Sequence, residues 1–273
     1  MRLKGKVAAI TGGASGMGRA IALALARDGV DVAIGSLTKD RGSSRPGEIV
    51  NLLSSSDLED TRKEIGACGV RALALPLDVT VAEEARNFIE STLRELGSVD
   101  ILVNAAGITC EQTIADHDDG LWQKVIDVNL TGTYYCTKAV LPQMIRKRWG
   151  RIINISSTAG NVGGPRNGAY CAAKAGVLGL TRALALEVGE YNITVNAICP
   201  SWVSTGFGKL WIETIARNEG VDEKAKMAEI ERSYPQRRII SPEEIGHLAR
   251  FLAQEESFGI SGQDLTVSGG QLW

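Results

Sequence analysis

Val7-Ala8-Ala9-Ile10-Thr11-Gly12-Gly13-Ala14-Ser15-Gly16-Met17-Gly18-Arg19-Ala20-Ile21 is the stretch on which the fold turns. Its first four residues form an unbroken apolar run, as short as a strand buried on both faces requires. From Gly16 onward the apolar residues recur at helical spacing. Gly12, Gly13, Gly16 and Gly18 lie between the two elements, where missing side chains allow a tight turn and close backbone approach. A pyrophosphate fits at such a helix N-terminus, because the exposed N–H groups and the helix dipole both favour negative charge. The loop thus predicts dinucleotide binding through Gly12, Ser15, Gly16, Met17 and Gly18. Its Gly-x3-Gly-x-Gly spacing differs from the commoner Gly-x-Gly-x-x-Gly fingerprint.

Beyond this loop, further runs rich in Val, Ile and Leu stand at 32–34, 72–75, 101–103, 152–155, 194–198 and 265–267. Helical periodicity occupies 16–27, 56–65, 81–96, 120–148, 169–187 and 242–253. Ser241-Pro242-Glu243-Glu244 reads as a helix start, with a capping hydroxyl, a first-turn proline and early acids. Strands alternating with helices predict an α/β fold, a single Rossmann-type doubly wound parallel sheet of about seven strands. No linker breaks the alternation, so one domain is expected over 1–273. Two excursions exceed the usual connection length: an insertion at 36–55, and 201–238, read as a lid with a charged helical stretch at 222–232.

Composition excludes several classes. Thirty basic against 32 acidic residues give a formal charge of −2, with no basic footprint for nucleic acid or a membrane surface. No apolar stretch is long enough to span a bilayer, and the N-terminal run is too short for a signal-peptide core. Five scattered cysteines without Cys-x-x-Cys spacing and two distant histidines argue against a disulfide framework or a metal site. A reduced, cytoplasmic setting is expected. Cys171, beside Tyr170, reads as a helix-packing residue, with no histidine near it in sequence.

Tyr170-x3-Lys174 puts a phenol and an ammonium one helical turn apart on one face. A nearby cation favours the phenolate, so Lys174 is expected to lower the pKa of Tyr170 for proton transfer. The same spacing recurs in Tyr134 and Lys138, so spacing alone decides nothing. Context does: Ser157 stands 13 residues before Tyr170, just past a strand end, where ligands bind in open α/β sheets. Tyr134 and Tyr135 read as packing residues.

Thr11-Gly-x3-Gly-x-Gly, Asn104-Ala-Ala-Gly107, Asn129, Ser157, Tyr170-x3-Lys174 and Cys199-Pro200 together resemble the short-chain dehydrogenase/reductase family, in its short oxidoreductase branch. The resemblance covers essentially the whole chain. It implies hydride transfer between a nicotinamide and a carbonyl or alcohol substrate. Tyr170 would be general acid or base, and Ser157 would hold the substrate oxygen. Lys174 would hold the nicotinamide ribose, while Asn129 would hold a water that links Lys174 to solvent. Asn104, Ala105, Ala106 and Gly107 would close over the adenosine side. Asp78 and Val79 would lie beside the adenine, and Pro200 and Val203 on the nicotinamide side. A homodimer or homotetramer is implied, built through the two long helices, and the terminal Trp273 is expected at a subunit boundary.

The chain departs from the family pattern at Ser201, where a glycine is usual, at Ala105, and at Ser268. Ser201 is expected to make the nicotinamide-side backbone less permissive. The second strand ends in Gly35-Ser36-Leu37 without the acid that accepts a ribose 2′-hydroxyl, and Lys39 and Arg41 follow. That pattern favours NADP(H) slightly over NAD(H). By position, the 36–55 insertion resembles those of family members that retain their cofactor, and it is expected to cover the adenosine end. Trp202, Phe207 and Trp211 point to an apolar or ring-containing substrate, and Arg166 or Lys209 is a candidate carboxylate ligand. A cofactor-sensing protein without turnover is the alternative, since fold alone does not fix function.

Overall fold

Every residue of the first strand is buried, and alternate side chains enter opposite layers. Ala8 and Ile10 join one core cluster, while Val7 and Ala9 join another on the far face of the sheet. This two-sided burial explains the near-continuous apolarity of the strands. The computed structural model describes residues 3–42 and 44–271. The expectation for Trp273 lies outside them.

The elements run β1 (Val7–Thr11), α1 (Gly16–Arg27), β2 (Asp31–Ser36), β3 (Glu48–Ile49), α2 (Ser55–Gly66), β4 (Ala72–Pro76), α3 (Ala82–Leu96), β5 (Ile101–Asn104) and β6 (Thr109–Cys110). They continue with α4 (Asp119–Ile126), α5 (Gly132–Lys147), β7 (Gly150–Ile155), α6 (Gly168–Val188), β8 (Ile193–Pro200), α7 (Gly206–Glu219), α8 (Glu223–Ser233), α9 (Pro242–Leu252) and β9 (Asp264–Val267). Seven strands pair in parallel in the order β4-β2-β1-β5-β7-β8-β9. The order reverses at β1, and the crevice beyond the strand ends there is where such sheets bind ligands. Among the described residues, no helix is long and apolar enough to cross a membrane.

Three local features differ from the sequence expectations. The helix read over 120–148 is interrupted: between α4 and α5 the backbone makes a π-helical turn, Asp127–Thr131. That turn carries Asn129 inward, where its Nδ2 donates to the carbonyls of Val125 and Ile108 at 2.8 and 2.9 Å. The 36–55 insertion is not merely a loop, because β3 within it pairs antiparallel with β6. In the 201–238 excursion α8 lies where the charged stretch predicted it, capped by Asp222. Helix α7, capped by Thr205, carried no periodic signal because its aromatic residues face a cleft.

Candidate active site

The glycine loop is held in shape before any ligand arrives. Thr11 Oγ1 accepts from Ala105 N and Ala106 N at 3.1 and 3.2 Å, tying the end of β1 to the loop after β5. Ser36 Oγ accepts from Ala14 N at 3.1 Å. Gly12 has φ +64°, and a Cβ at Gly18 would lie 2.2 Å from the Gly12 carbonyl oxygen, so side chains are excluded from both.

A cleft over these strand ends is lined by Gly12, Ser15, Gly16, Met17 and Gly18. Ser36, Asp78, Val79, Ala105, Ala106 and Gly107 form its walls, and Tyr170 and Lys174 close one end. The insertion roofs it with Glu48, Val50, Asn51 and Leu53, a contribution whose individual residues gave no sequence signal. Glu48 is buried, accepts from Arg45 N at 2.7 Å and pairs with Lys124 of α4 at 2.6 Å. No free guanidinium projects from Arg41, which is bound by Glu84 at 2.7 Å.

Other predicted site residues lie outside this cleft. Asn104 is buried below the cleft, where its Nδ2 donates to Asn154 Oδ1 at 2.8 Å and Thr137 Oγ1 at 3.2 Å; it braces the sheet instead of lining the adenosine site. Pro200 and Val203 line the neighbouring cleft. Asn129 stands behind Gly107. Its Oδ1 is buried without a hydrogen-bond partner, and a Cβ on Gly107 would sit 2.9 Å from it and 3.7 Å from Lys174 Nζ.

Tyr170 and Lys174 start α6 with both side chains buried, whereas Tyr134, of the duplicate motif, lies half-exposed on α5. Lys174 Nζ donates to the Ile155 carbonyl at 2.8 Å and lies 5.4 Å from the Tyr170 ring centroid. The Ser157 hydroxyl opposes the burial of the phenol, pulling its pKa down. Burial pushes the Tyr170 phenol up to about 12 and the Lys174 ammonium down to about 8. The expectation that Lys174 lowers the pKa of Tyr170 is corrected: burial raises it, and the group that pulls it down is Ser157.

A second cleft adjoins the first and shares Tyr170 with it. Ser157, Arg166, Trp202, Phe207 and Trp211 all line it; Lys209 does not, and pairs with Glu213. The lid is anchored by a hydrogen-bond chain: Trp202 N donates to Tyr234 Oη at 2.7 Å, and Tyr234 donates to Ser201 Oγ at 2.6 Å. Ser201 then donates to Gln271 Oε1 at 2.8 Å. Ser201 has no positive φ, so replacing the usual glycine introduces no backbone strain and supplies a lid anchor. Thr205 lies in the 201–238 lid expected to line this cleft, whereas Glu111, which belongs to no recognisable motif, gave no sequence signal.

A sequence profile described as short chain dehydrogenase matches residues 6–215. The chain belongs to the short-chain dehydrogenase family. A D-beta-hydroxybutyrate dehydrogenase of Cupriavidus necator is 35% identical over 269 residues, 98% of each chain. Among solved structures, an NAD+-bound xylitol dehydrogenase superposes with a TM-score of 0.88 at 30% identity, covering 99% of this chain and 100% of the other. An actinorhodin polyketide ketoreductase with NADPH gives 0.89 at 32% identity, covering 97% of each. The fold is the Rossmann-like sheet of this family, and the chain is an oxidoreductase of a family that binds NAD(P).

Proposed function

We propose that the protein interconverts a ketone and a secondary alcohol with NAD(P)(H), using Tyr170 as general acid or base. One observation carries the reading: Tyr170 lines both clefts, with Lys174 on the dinucleotide side and Ser157 on the other. The fit to a dinucleotide is supported by the glycine loop, where a Cβ at Gly12 would meet the backbone of Ala105 and Ala106 at 2.9 Å. Gly12, Ser15, Gly16, Met17 and Gly18 would hold the pyrophosphate, and Asp78 and Val79 the adenine side. The nicotinamide supplies or takes up the hydride and, when oxidised, brings positive charge to the site.

Ser157 and Tyr170 hold the substrate oxygen between two hydroxyls. In reduction Tyr170 gives its proton to that oxygen; in oxidation it removes one. Lys174 would hold the nicotinamide ribose hydroxyls beside the phenol, with its Nζ 5.4 Å from the Tyr170 ring centroid. The unpartnered Oδ1 of Asn129 supports a water position beside Lys174 through which Tyr170 is reprotonated. Ser36 places no acid against a 2′-phosphate, which favours NADP(H) slightly. With Arg41 held by Glu84, Lys39 is the remaining cation of the two, and equal or better turnover with NADH would reject the preference.

The 36–55 segment acts as a strap that slows cofactor exchange. Tyr134 on α5 and Leu186 on α6 are exposed, which suits a homodimer or homotetramer built on the long helices; light scattering tests it. The decisive experiment is a panel of carbonyls and alcohols read by NAD(P)H absorbance, with Tyr170→Phe as control. The variant is expected to lose at least about a hundredfold in kcat while binding cofactor normally. Undiminished turnover by Tyr170→Phe refutes the role.

A further inference from the structure

The substrate-side cleft, a cavity of about 430 Å³, contains a buried carboxylate with no part in the reaction above. Glu111 directly follows β6, and its side chain is only 8% exposed. Oε1 accepts from Trp211 Nε1 at 2.5 Å. Oε2 lies 4.0 Å from Arg166 Nε, outside hydrogen-bond range, and among the described residues no donor reaches it. Trp211 in turn lies against the Tyr170 ring, so Glu111 stands one indole away from the phenol. Burial raises the pKa of Glu111, while the Trp211 bond and Arg166 pull it down.

The charges of the cleft are matched. Its two cations among the described residues are Arg166 and Lys226. Arg166 faces Glu111, and Lys226 is 2.7 Å from Glu219 and 3.2 Å from Glu229. An anionic substrate would meet no surplus positive charge here and would lose its hydration. A neutral molecule bearing a hydroxyl would not: the hydroxyl satisfies Oε2, and the carbon skeleton lies against Trp202, Phe207 and Trp211. We infer that Glu111 is a specificity-determining residue that accepts a hydrogen bond from a substrate hydroxyl, which selects neutral hydroxylated ketones and their polyol products. This rests on the oxidoreductase reading above.

Cyclohexanone, its 4-hydroxy derivative and its 4-carboxylate test the assignment in steady-state reduction by the full-length protein. The hydroxy ketone is expected to exceed cyclohexanone by about tenfold in kcat/KM, chiefly through KM, with the carboxylate below both. In Glu111→Gln the amide oxygen still accepts from Trp211 while an uncharged N–H donor replaces the second acceptor, so the charge-assisted bond is lost and the hydroxy-over-deoxy preference should fall. Glu111→Leu should erase it. Turnover of cyclohexanone without a hydroxyl preference, a preference for the carboxylate, or a preference that survives in Glu111→Leu would overturn the inference and leave the oxidoreductase reading standing. Calorimetric binding of the hydroxy ketone over cyclohexanone, with no turnover of either, would uphold Glu111 and overturn the reaction instead.

Discussion

The indole of Trp211 meets the phenol of Tyr170 edge-on, with ring centroids 5.4 Å apart and planes at 73°. Trp211 belongs to α7 and Tyr170 to α6, so the lid packs directly on the buried phenol. Burial is the largest cause of the raised Tyr170 pKa. Trp211→Ala admits water and is expected to lower that pKa from about 12 toward 10, together with a raised KM. Tyrosinate absorbance, taken as the difference between Trp211→Ala and the same variant carrying Tyr170→Phe, reads the change. A transition still near 12 would mean that the sheet, not the lid, buries the phenol.

Lys174 places a buried charge where stability would prefer none. Its ammonium is held at about 8 against an ordinary 10.5, with burial as the leading cause. Below pH 8 both folded and unfolded chains are protonated there, and the folded state carries the full desolvation cost. Between 8 and 10.5 only the unfolded chain still binds the proton, so this group's contribution makes stability rise with pH. The cost is on the order of 3 kcal/mol. Lys174→Met should therefore be inactive yet more stable than the parent at pH 7, and the gap should close as pH rises from 8 to 10.5. Buried thiols at Cys110 and Cys136 pull stability down above about 9 equally in both proteins, whereas Cys199, whose pKa Lys174 lowers, does so more in the variant and helps to close the gap. Thermal melts across this range check the result, and a Met variant less stable at pH 7 contradicts it.

Much of this site was legible from sequence because it is built on strand ends, where apolar runs of a few residues fix the position of the loops that leave them. Ser157, Tyr170 and Lys174 could be ordered that way, and the loop at 12–18 could be placed between its strand and helix. Asn104 misled because a motif position does not say which way a side chain points; here it points down, to Asn154 and Thr137. The pKa of Tyr170 misled because adjacency in sequence says nothing about burial. Glu111 and Glu48 were invisible for a third reason: their partners are Trp211 and Lys124, 100 and 76 residues away.

Tyr234 is wholly buried, and its hydroxyl links Trp202 N to Ser201 Oγ. Tyr234→Phe keeps the ring and removes only the oxygen, leaving a backbone N–H and a serine hydroxyl to find other partners. The expected cost is about 1–3 kcal/mol, or a few degrees in melting temperature. Because Trp202 also lines the substrate cleft, KM should rise while the Kd for cofactor stays near that of the parent. If the melt is unchanged, the chain of hydrogen bonds contributes nothing to the lid.

The strap joins the two banks of the cleft over the glycine loop. It leaves the end of β2, passes over the cleft through Val50, Asn51 and Leu53, and pairs Glu48 with Cys110 and Ile49 with Thr109 across the β3–β6 ladder. Its far bank is fixed by Glu48, whose buried carboxylate is bonded to Lys124 at 2.6 Å. Removing that carboxylate breaks a largely buried ion pair and costs about 1–3 kcal/mol, less than for a fully buried pair because Lys124 is one-quarter exposed. Much of that cost should fall on the closed strap, so Glu48→Ala is expected to release reduced cofactor about tenfold faster. Stopped-flow displacement followed by nicotinamide fluorescence measures the rate. A chain with residues 41–52 replaced by a short Gly-Ser turn should be faster still, with a higher kcat if release limits turnover. Release at the parental rate in both variants would show that the strap covers the cleft without governing exchange.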